Sequence, residues 1–302
     1  MNMKFKKIIF IIFFLIIIFC SASVLFNKRG SQKNELLVPF ISVINEVVRF
    51  SGGSNKLEQA VTKALEETEG DYSIAIKNLK TGESYYKDEG KKYSIGSLYK
   101  LWVMAEAERQ IAGGQLSETE ILSDDVAAVN NRYGIPPEAA DLSEGVISFT
   151  VKEAIEQMIT ISHNYAAWLL AEKLGANNVR EFLRMNNFKE SVYSDPPQST
   201  AADIALFLEK LYNGEFVGSP QMIEILKKQQ LNNKLPKYLA KEVAMAHKTG
   251  EVDYFSHDAG IVYTDRGDYI IVVFSESDYP PGAEDRIAQI SKAVYEYFTE
   301  KN

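Results

Sequence analysis

The sequence predicts an α+β fold: an antiparallel five-stranded sheet flanked by terminal helices, plus an all-α lobe. Three observations predict it. Strand-like alternation occurs near both ends of the folded region, over residues 72–79 and 83–88 and again over 243–247, 257–264 and 269–275. Helical periodicity fills the middle, from residue 150 to 226. A further helical pattern lies outside the strands at each end, over 56–69 and around Ile287, Ile290, Val294, Tyr297 and Phe298. Strands that are separated in sequence but can pair in one sheet, with helices segregated from them, define the class.

The 302 residues suffice for one large domain or two small ones, and 46% hydrophobic with 25% charged residues is ordinary globular composition. A net charge of −8, with no basic block in the folded region, argues against a nucleic-acid partner. Cys20 is the single cysteine, so no intrachain disulfide exists.

Residues 1–29 are expected to be a transmembrane anchor or signal segment. Residues 8–26 are 19 uncharged residues behind Lys4, Lys6 and Lys7. A helix of that length covers roughly the ~30 Å of a bilayer core. The length favours an uncleaved anchor over a cleaved signal peptide, whose site would be Ser21-Ala22-Ser23. Phe19 stands against lipid attachment at Cys20. In every version the remainder lies outside the membrane, and Lys4, Lys6 and Lys7 favour a cytoplasmic N-terminus.

Residues 30–55 read as a juxtamembrane linker. Phe40, Ile41, Val43, Ile44, Val47 and Val48 recur at helical spacing, in a helix lying on the bilayer or packed on the main domain. Ser51-Gly52-Gly53-Ser54 is a flexible joint.

The main domain is expected over 56–302. Leu57, Ala60, Val61 and Leu65 share one face of its first helix. Lys80-Thr81-Gly82 turns the first hairpin. A helix opens at Ser97 and stops at Gly113-Gly114. Residues 115–150, broken by Pro136-Pro137, read as loops with short helices. Thr150 with Glu153 marks a capping box at the next helix. Helices follow over 165–174, 177–185 and 200–212, and Ser219 caps another. Asp265-Arg266-Gly267-Asp268 joins the last two strands.

Chemistry enters at Ser97. Residues three apart share a helix face, so Ser97 and Lys100 point the same way, and a neutral lysine can take a serine proton. Two further motifs follow: Ser162-His163-Asn164 at a helix junction, and Lys248-Thr249-Gly250 at the end of a strand. Ser84-Tyr85-Tyr86-Lys87 and the early Lys80-Thr81-Gly82 are decoys. Residues three apart in a strand face opposite sides, and the early triplet is a hairpin turn.

The three motifs in order resemble the serine β-lactamase/penicillin-binding protein superfamily, in its class A β-lactamase-like branch, over residues 56–302. The resemblance implies that Ser97 attacks a carbonyl and that Lys100 accepts its proton. It implies that the Ser97 and Glu251 backbone amides form the oxyanion hole, and that Ser162 relays a proton to the leaving nitrogen. Asn164 would bind the substrate amide and help fix Lys100. Lys248 and Thr249 would bind the substrate carboxylate, and Gly250 would let the substrate backbone approach the strand edge. The implied substrates are β-lactams or the D-Ala-D-Ala stem peptides of peptidoglycan, handled at a bacterial cell membrane on its outer side. No cofactor and no metal are expected, since His163, His247 and His257 show no metal-ligand spacing.

Two positions depart from the family pattern. His163 replaces the usual aspartate of the middle motif. Residues 187–199 lack the E-x-x-L-N signature that carries the deacylating glutamate, and their carboxylates, Glu190 and Asp195, read as surface loop charges. A slow β-lactamase or a peptidase-like enzyme is therefore expected. The alternative is a non-hydrolytic penicillin sensor or cell-wall-binding membrane protein, for which residues 1–7 would leave no room for a cytoplasmic signalling domain.

Overall fold

A computed structural model of the protein describes residues 55–300, which belong to one compact unit. The expected membrane segment, the linker helix and the joint at 51–54 lie outside the described residues. Among the described residues, no helix is long and apolar enough to cross a membrane.

The centre is a five-stranded antiparallel sheet in the order β2-β1-β9-β8-β7. Its strands are β1 (Asp71–Asn78), β2 (Ser84–Lys87), β7 (Met245–Val252), β8 (Phe255–Val262) and β9 (Tyr269–Glu276). β1 and β9 pair through Asp71–Glu276 to Asn78–Tyr269, which joins the two ends of the domain. Alternation sorts the side chains. Ile74, Ile76, Ile271 and Val273 enter one apolar cluster, while Ala75, Ile270, Val272 and Phe274 enter another. The expected five-stranded sheet is present, and both faces are buried.

The terminal helices α1 (Asn55–Ala64) and α9 (Pro280–Thr299) cover the first face. Leu57 and Val61 meet Ile287, Ile290 and Val294 there. α1 stops at Ala64, short of the expected residue 69, and Glu67 and Gly70 take positive φ on the way into β1. Pro280 and Pro281 open α9, where the missing amides would be unpaired in any case.

The helical lobe covers the other face. It contains α2 (Lys100–Ala112), α3 (Val126–Arg132), α4 (Val151–Thr160), α5 (Asn164–Leu174), α6 (Ala176–Met185), α7 (Ala201–Tyr212) and α8 (Ser219–Leu226). The capping box is formed: Thr150 Oγ1 accepts from the Glu153 amide at 3.1 Å, and Glu153 Oε2 accepts from the Thr150 amide at 2.8 Å. Ser219 is the first residue of α8 rather than its cap. Gly218 holds that place in the left-handed region, and Ser219 Oγ donates to Phe216 O.

Two small pairings replace stretches expected to be loops. β4 (Ile121–Asp125) pairs with β5 (Val146–Thr150), burying Leu122, Ile147 and Phe149. β3 (Tyr93–Ser94) pairs with β6 (Gln198–Ser199). The latter fastens the chain just before Ser97 to the end of the 187–199 loop.

Candidate active site

Ser97 lies in a 3₁₀ turn, Gly96–Tyr99, that runs directly into α2. The expected helix therefore starts three residues later, with Lys100 as its first residue. The spacing argument survives, because residues i and i+3 eclipse in a 3₁₀ turn. The turn is clamped on two sides. Ile95 N donates to Pro197 O at 3.0 Å, and Leu98 is buried beneath it. Gly96 sits at φ +47, and a Cβ there would lie 2.5 Å from Glu251 O and 2.7 Å from Glu251 N. Only glycine fits. The Ser97 and Glu251 amides, the expected oxyanion donors, therefore belong to touching segments.

Ser97 is partly exposed, whereas Lys100 is fully buried. Lys100 Nζ donates to Ser162 O at 2.6 Å and Asn164 Oδ1 at 2.9 Å, and lies 3.2 Å from Ser162 Oγ. Its hydrogen bonds thus tie the first motif to the second rather than to Ser97 Oγ. Catalytic contacts of this kind tighten on substrate binding. Asn164 is the first residue of α5, with its acceptor oxygen held by Lys100.

Ser162 Oγ is also 3.0 Å from Lys248 Nζ, so it bridges the lysines of the first and third motifs. Laid end to end, the two contacts put the ammonium nitrogens no more than about 6 Å apart. Two full charges at that distance repel by about 3 kcal/mol at an effective dielectric near 20. Burial, then the neighbouring Lys248, hold the Lys100 ammonium well below its ordinary range. Burial pushes Lys248 down to about 7, against the attraction of Asp258. The pair has the chemistry of one lysine ready to accept a proton and one able to supply it, with a hydroxyl between them.

Ser162 has φ +58, an uncommon conformation for a residue with a side chain. It turns the chain sharply between α4 and α5 and aims both its carbonyl and its hydroxyl at the lysines. His163 caps α5, its Nδ1 accepting from the Ala166 amide at 3.3 Å. That bond needs a neutral ring. Burial and the Lys100 charge lower the His163 pKa, which favours that state. The histidine thus performs the capping that an aspartate performs at such positions.

Lys248-Thr249-Gly250 lies within β7 rather than at its end, because the strand continues to Val252. Gly250 serves a different purpose from the one expected. A Cβ there would meet Ile95 O at 2.3 Å and Leu98 Cγ at 2.9 Å. Its bare α-carbon admits the nucleophile turn onto the strand, not a substrate backbone. Behind β7, Asp258 accepts from the Leu235 amide and meets His247 Nδ1 at 3.0 Å, and His247 Nε2 meets Asn232 Oδ1 at 3.0 Å. His257 lies in the sheet, donating Nε2–H to Ser94 O and accepting the Ser275 amide at Nδ1.

The 187–199 loop follows the nucleophile turn closely. The Tyr193 ring contacts Tyr99 and Trp102, at centroid distances of 6.0 and 6.5 Å. Glu190 is paired with Lys92 at 3.0 Å, away from Ser97 chemistry. Asp195 is exposed. Lys234, which the sequence reading missed, is fully buried and ion-paired with Glu251 and with Glu284 at 3.7 Å. It stands in a polar stretch with Lys227, Lys228, Lys237 and Lys241, and nothing in the sequence distinguishes it from them. Among the described residues, no group of three or more His, Cys, Asp and Glu is placed to hold a metal ion.

The sequence matches the profile of the Beta-lactamase enzyme family over residues 56–298. No curated protein matches it significantly. Among solved structures it is similar to PBP-A, with 21% identity and a TM-score of 0.70, covering 81% of this chain and 96% of that one. A variant of PBP-A, solved as its acyl-enzyme complex with penicillin G, aligns with 21% identity, a TM-score of 0.69 and the same coverage. A beta-lactamase from Sphaerobacter thermophilus aligns at 22% identity and TM-score 0.69, over 80% of this chain and 96% of that one. At these identities the likeness is one of fold.

Proposed function

The chain belongs to the Beta-lactamase enzyme family and is a serine β-lactamase-like hydrolase, and on that premise we propose that it forms a long-lived acyl-enzyme at Ser97 with β-lactams or D-Ala-D-Ala peptides. The observation that carries this reading is the Ser162 hydroxyl held between Lys100 and Lys248.

In the proposed reaction, neutral Lys100 takes the Ser97 proton as Oγ attacks the carbonyl carbon. The Ser97 and Glu251 amides hold the oxyanion; losing one such donor typically costs about 10²–10³ in rate. As the C–N bond breaks, Ser162 passes a proton to the departing nitrogen, with Lys248 as the neighbouring donor. Asn164 binds the acyl amide, and Lys248 and Thr249 line the leaving side. Water then adds to the Ser97 ester and releases the acid. This last step is slow in our reading. Glu190 is engaged by Lys92, and the loop lacks the glutamate signature of fast β-lactamases. The same loop keeps a penicillin-sensing role as the second reading, since a sensor needs acylation without turnover. The uncharged stretch 8–26 supports a domain tethered outside a bacterial membrane.

The test is to mix the full-length protein with a chromogenic cephalosporin and with a labelled penicillin. The expected result is stoichiometric labelling without sustained colour, and no label on Ser97→Ala. Rapid turnover would contradict slow deacylation, and its loss in Asp195→Asn would make Asp195 the missing base.

A further inference from the structure

Along β7 the side chains alternate, so Gly250 faces the nucleophile turn while Thr249 and Glu251 share the opposite face. Glu251 does two things at once. Its amide adjoins the Ser97 turn, and its carboxylate reaches Lys234. The Glu251 side chain stays 53% exposed, while the Lys234 side chain is fully buried. Glu284, at 3.7 Å, presents a second carboxylate to the same ammonium. The local tally is one cation against two anions. A substrate whose carbonyl oxygen sits on the Ser97 and Glu251 amides has its leaving side beside this excess negative charge. Lys248, the other nearby cation, is only partly charged near neutral pH because burial lowers it to about 7.

Resting on the acyl-enzyme reading above, we propose that Glu251 is a specificity residue that disfavours a free carboxylate on the leaving side of the scissile bond. The preferred substrate class is then a lactam or peptide whose terminal carboxylate is masked as an amide or ester. A half-exposed like-charge contact of this kind changes reactivity by about tenfold.

The experiment compares penicillin G with its methyl ester. Acylation of Ser97 in the full-length protein is followed by mass spectrometry, and each rate is divided by that compound's hydroxide-catalysed hydrolysis rate. In the wild type the normalised ester rate should exceed the normalised free-acid rate. Glu251→Gln keeps a hydrogen-bond acceptor for Lys234, and Glu284 remains to balance its charge. This variant should shift the free-acid to ester ratio about tenfold toward the free acid. A normalised preference for the free acid in the wild type, or an unchanged ratio in Glu251→Gln, overturns the proposal while leaving the acylation reading intact. Should the variant fail to fold, the wild-type preference alone decides. Failure of both compounds to label wild-type Ser97 overturns the acylation reading and, with it, the proposal.

Discussion

Ser162 combines a left-handed backbone with two lysine contacts, and the two can be separated by substitution. A side chain held at φ +58 costs on the order of 1–3 kcal/mol. Glycine would relieve that strain while removing the hydroxyl between Lys100 and Lys248. Ser162→Gly should therefore keep its Tm within a few degrees of wild type, since one lost hydrogen bond is worth about 1 kcal/mol. It should lose about 10²–10⁴-fold in acylation rate, the usual scale of proton-transfer catalysis. Parallel calorimetry and labelling kinetics check both halves. His257 gives a second prediction at this scale. Its buried ring accepts the Ser275 amide at Nδ1, and burial lowers its pKa to about 4. The folded value is below the ordinary 6.5, so the unfolded chain binds the proton more readily. Stability is complete above pH 6.5 and falls as pH drops toward 4, by on the order of 3 kcal/mol. Urea unfolding of wild type and His257→Asn between pH 7.5 and 4.5 should show a shallower slope in the variant. Equal slopes would contradict this role for the ring.

At the scale of elements, the site depends on β7 and the 3₁₀ turn packing without a side chain between them. Gly96 and Gly250 allow the contact from the two sides. Gly250→Ala places a methyl group against Ile95 O and Leu98, and overpacking of this kind costs about 1–3 kcal/mol. Tm should fall by roughly 5 °C, and labelling of Ser97 should fall with it as the turn is displaced from the Glu251 amide. A variant with wild-type Tm and wild-type labelling would contradict the packing argument. The three motifs were legible because each is local: Lys100 follows Ser97 by three residues, Ser162 and Asn164 flank one junction, and Lys248 and Thr249 are adjacent. The purpose of Gly250 was not legible, since it depends on which segment crosses the strand. The 3₁₀ form of the Ser97 turn was hidden for a related reason. Its bonds to Pro197 and its packing on Glu251 come from residues more than ninety positions away in the sequence.

At the scale of the whole molecule, the sheet and its covering helices followed from periodicity. Alternation in β1, β8 and β9 and the apolar stripes of α1 and α9 are strong signals. The β4–β5 pair was not legible, because each strand buries only one or two side chains and about twenty residues separate them in sequence. Lys234 was invisible for the same physical reason: burial of a lysine in a polar stretch is decided by partners far along the chain, Glu251 and Glu284. The fold brings the start of α2, the α4–α5 junction and β7 together, and two buried lysines then share one hydroxyl. That convergence is the basis for assigning the nucleophile. The most direct measurement is peptide mapping by mass spectrometry after mixing the full-length protein with penicillin G. One intact penicillin adduct on the peptide containing Ser97, decaying slowly after excess drug is removed, is the expected result. An adduct on another residue, or none on Ser97 at any time while penicillin is consumed, would contradict the assignment.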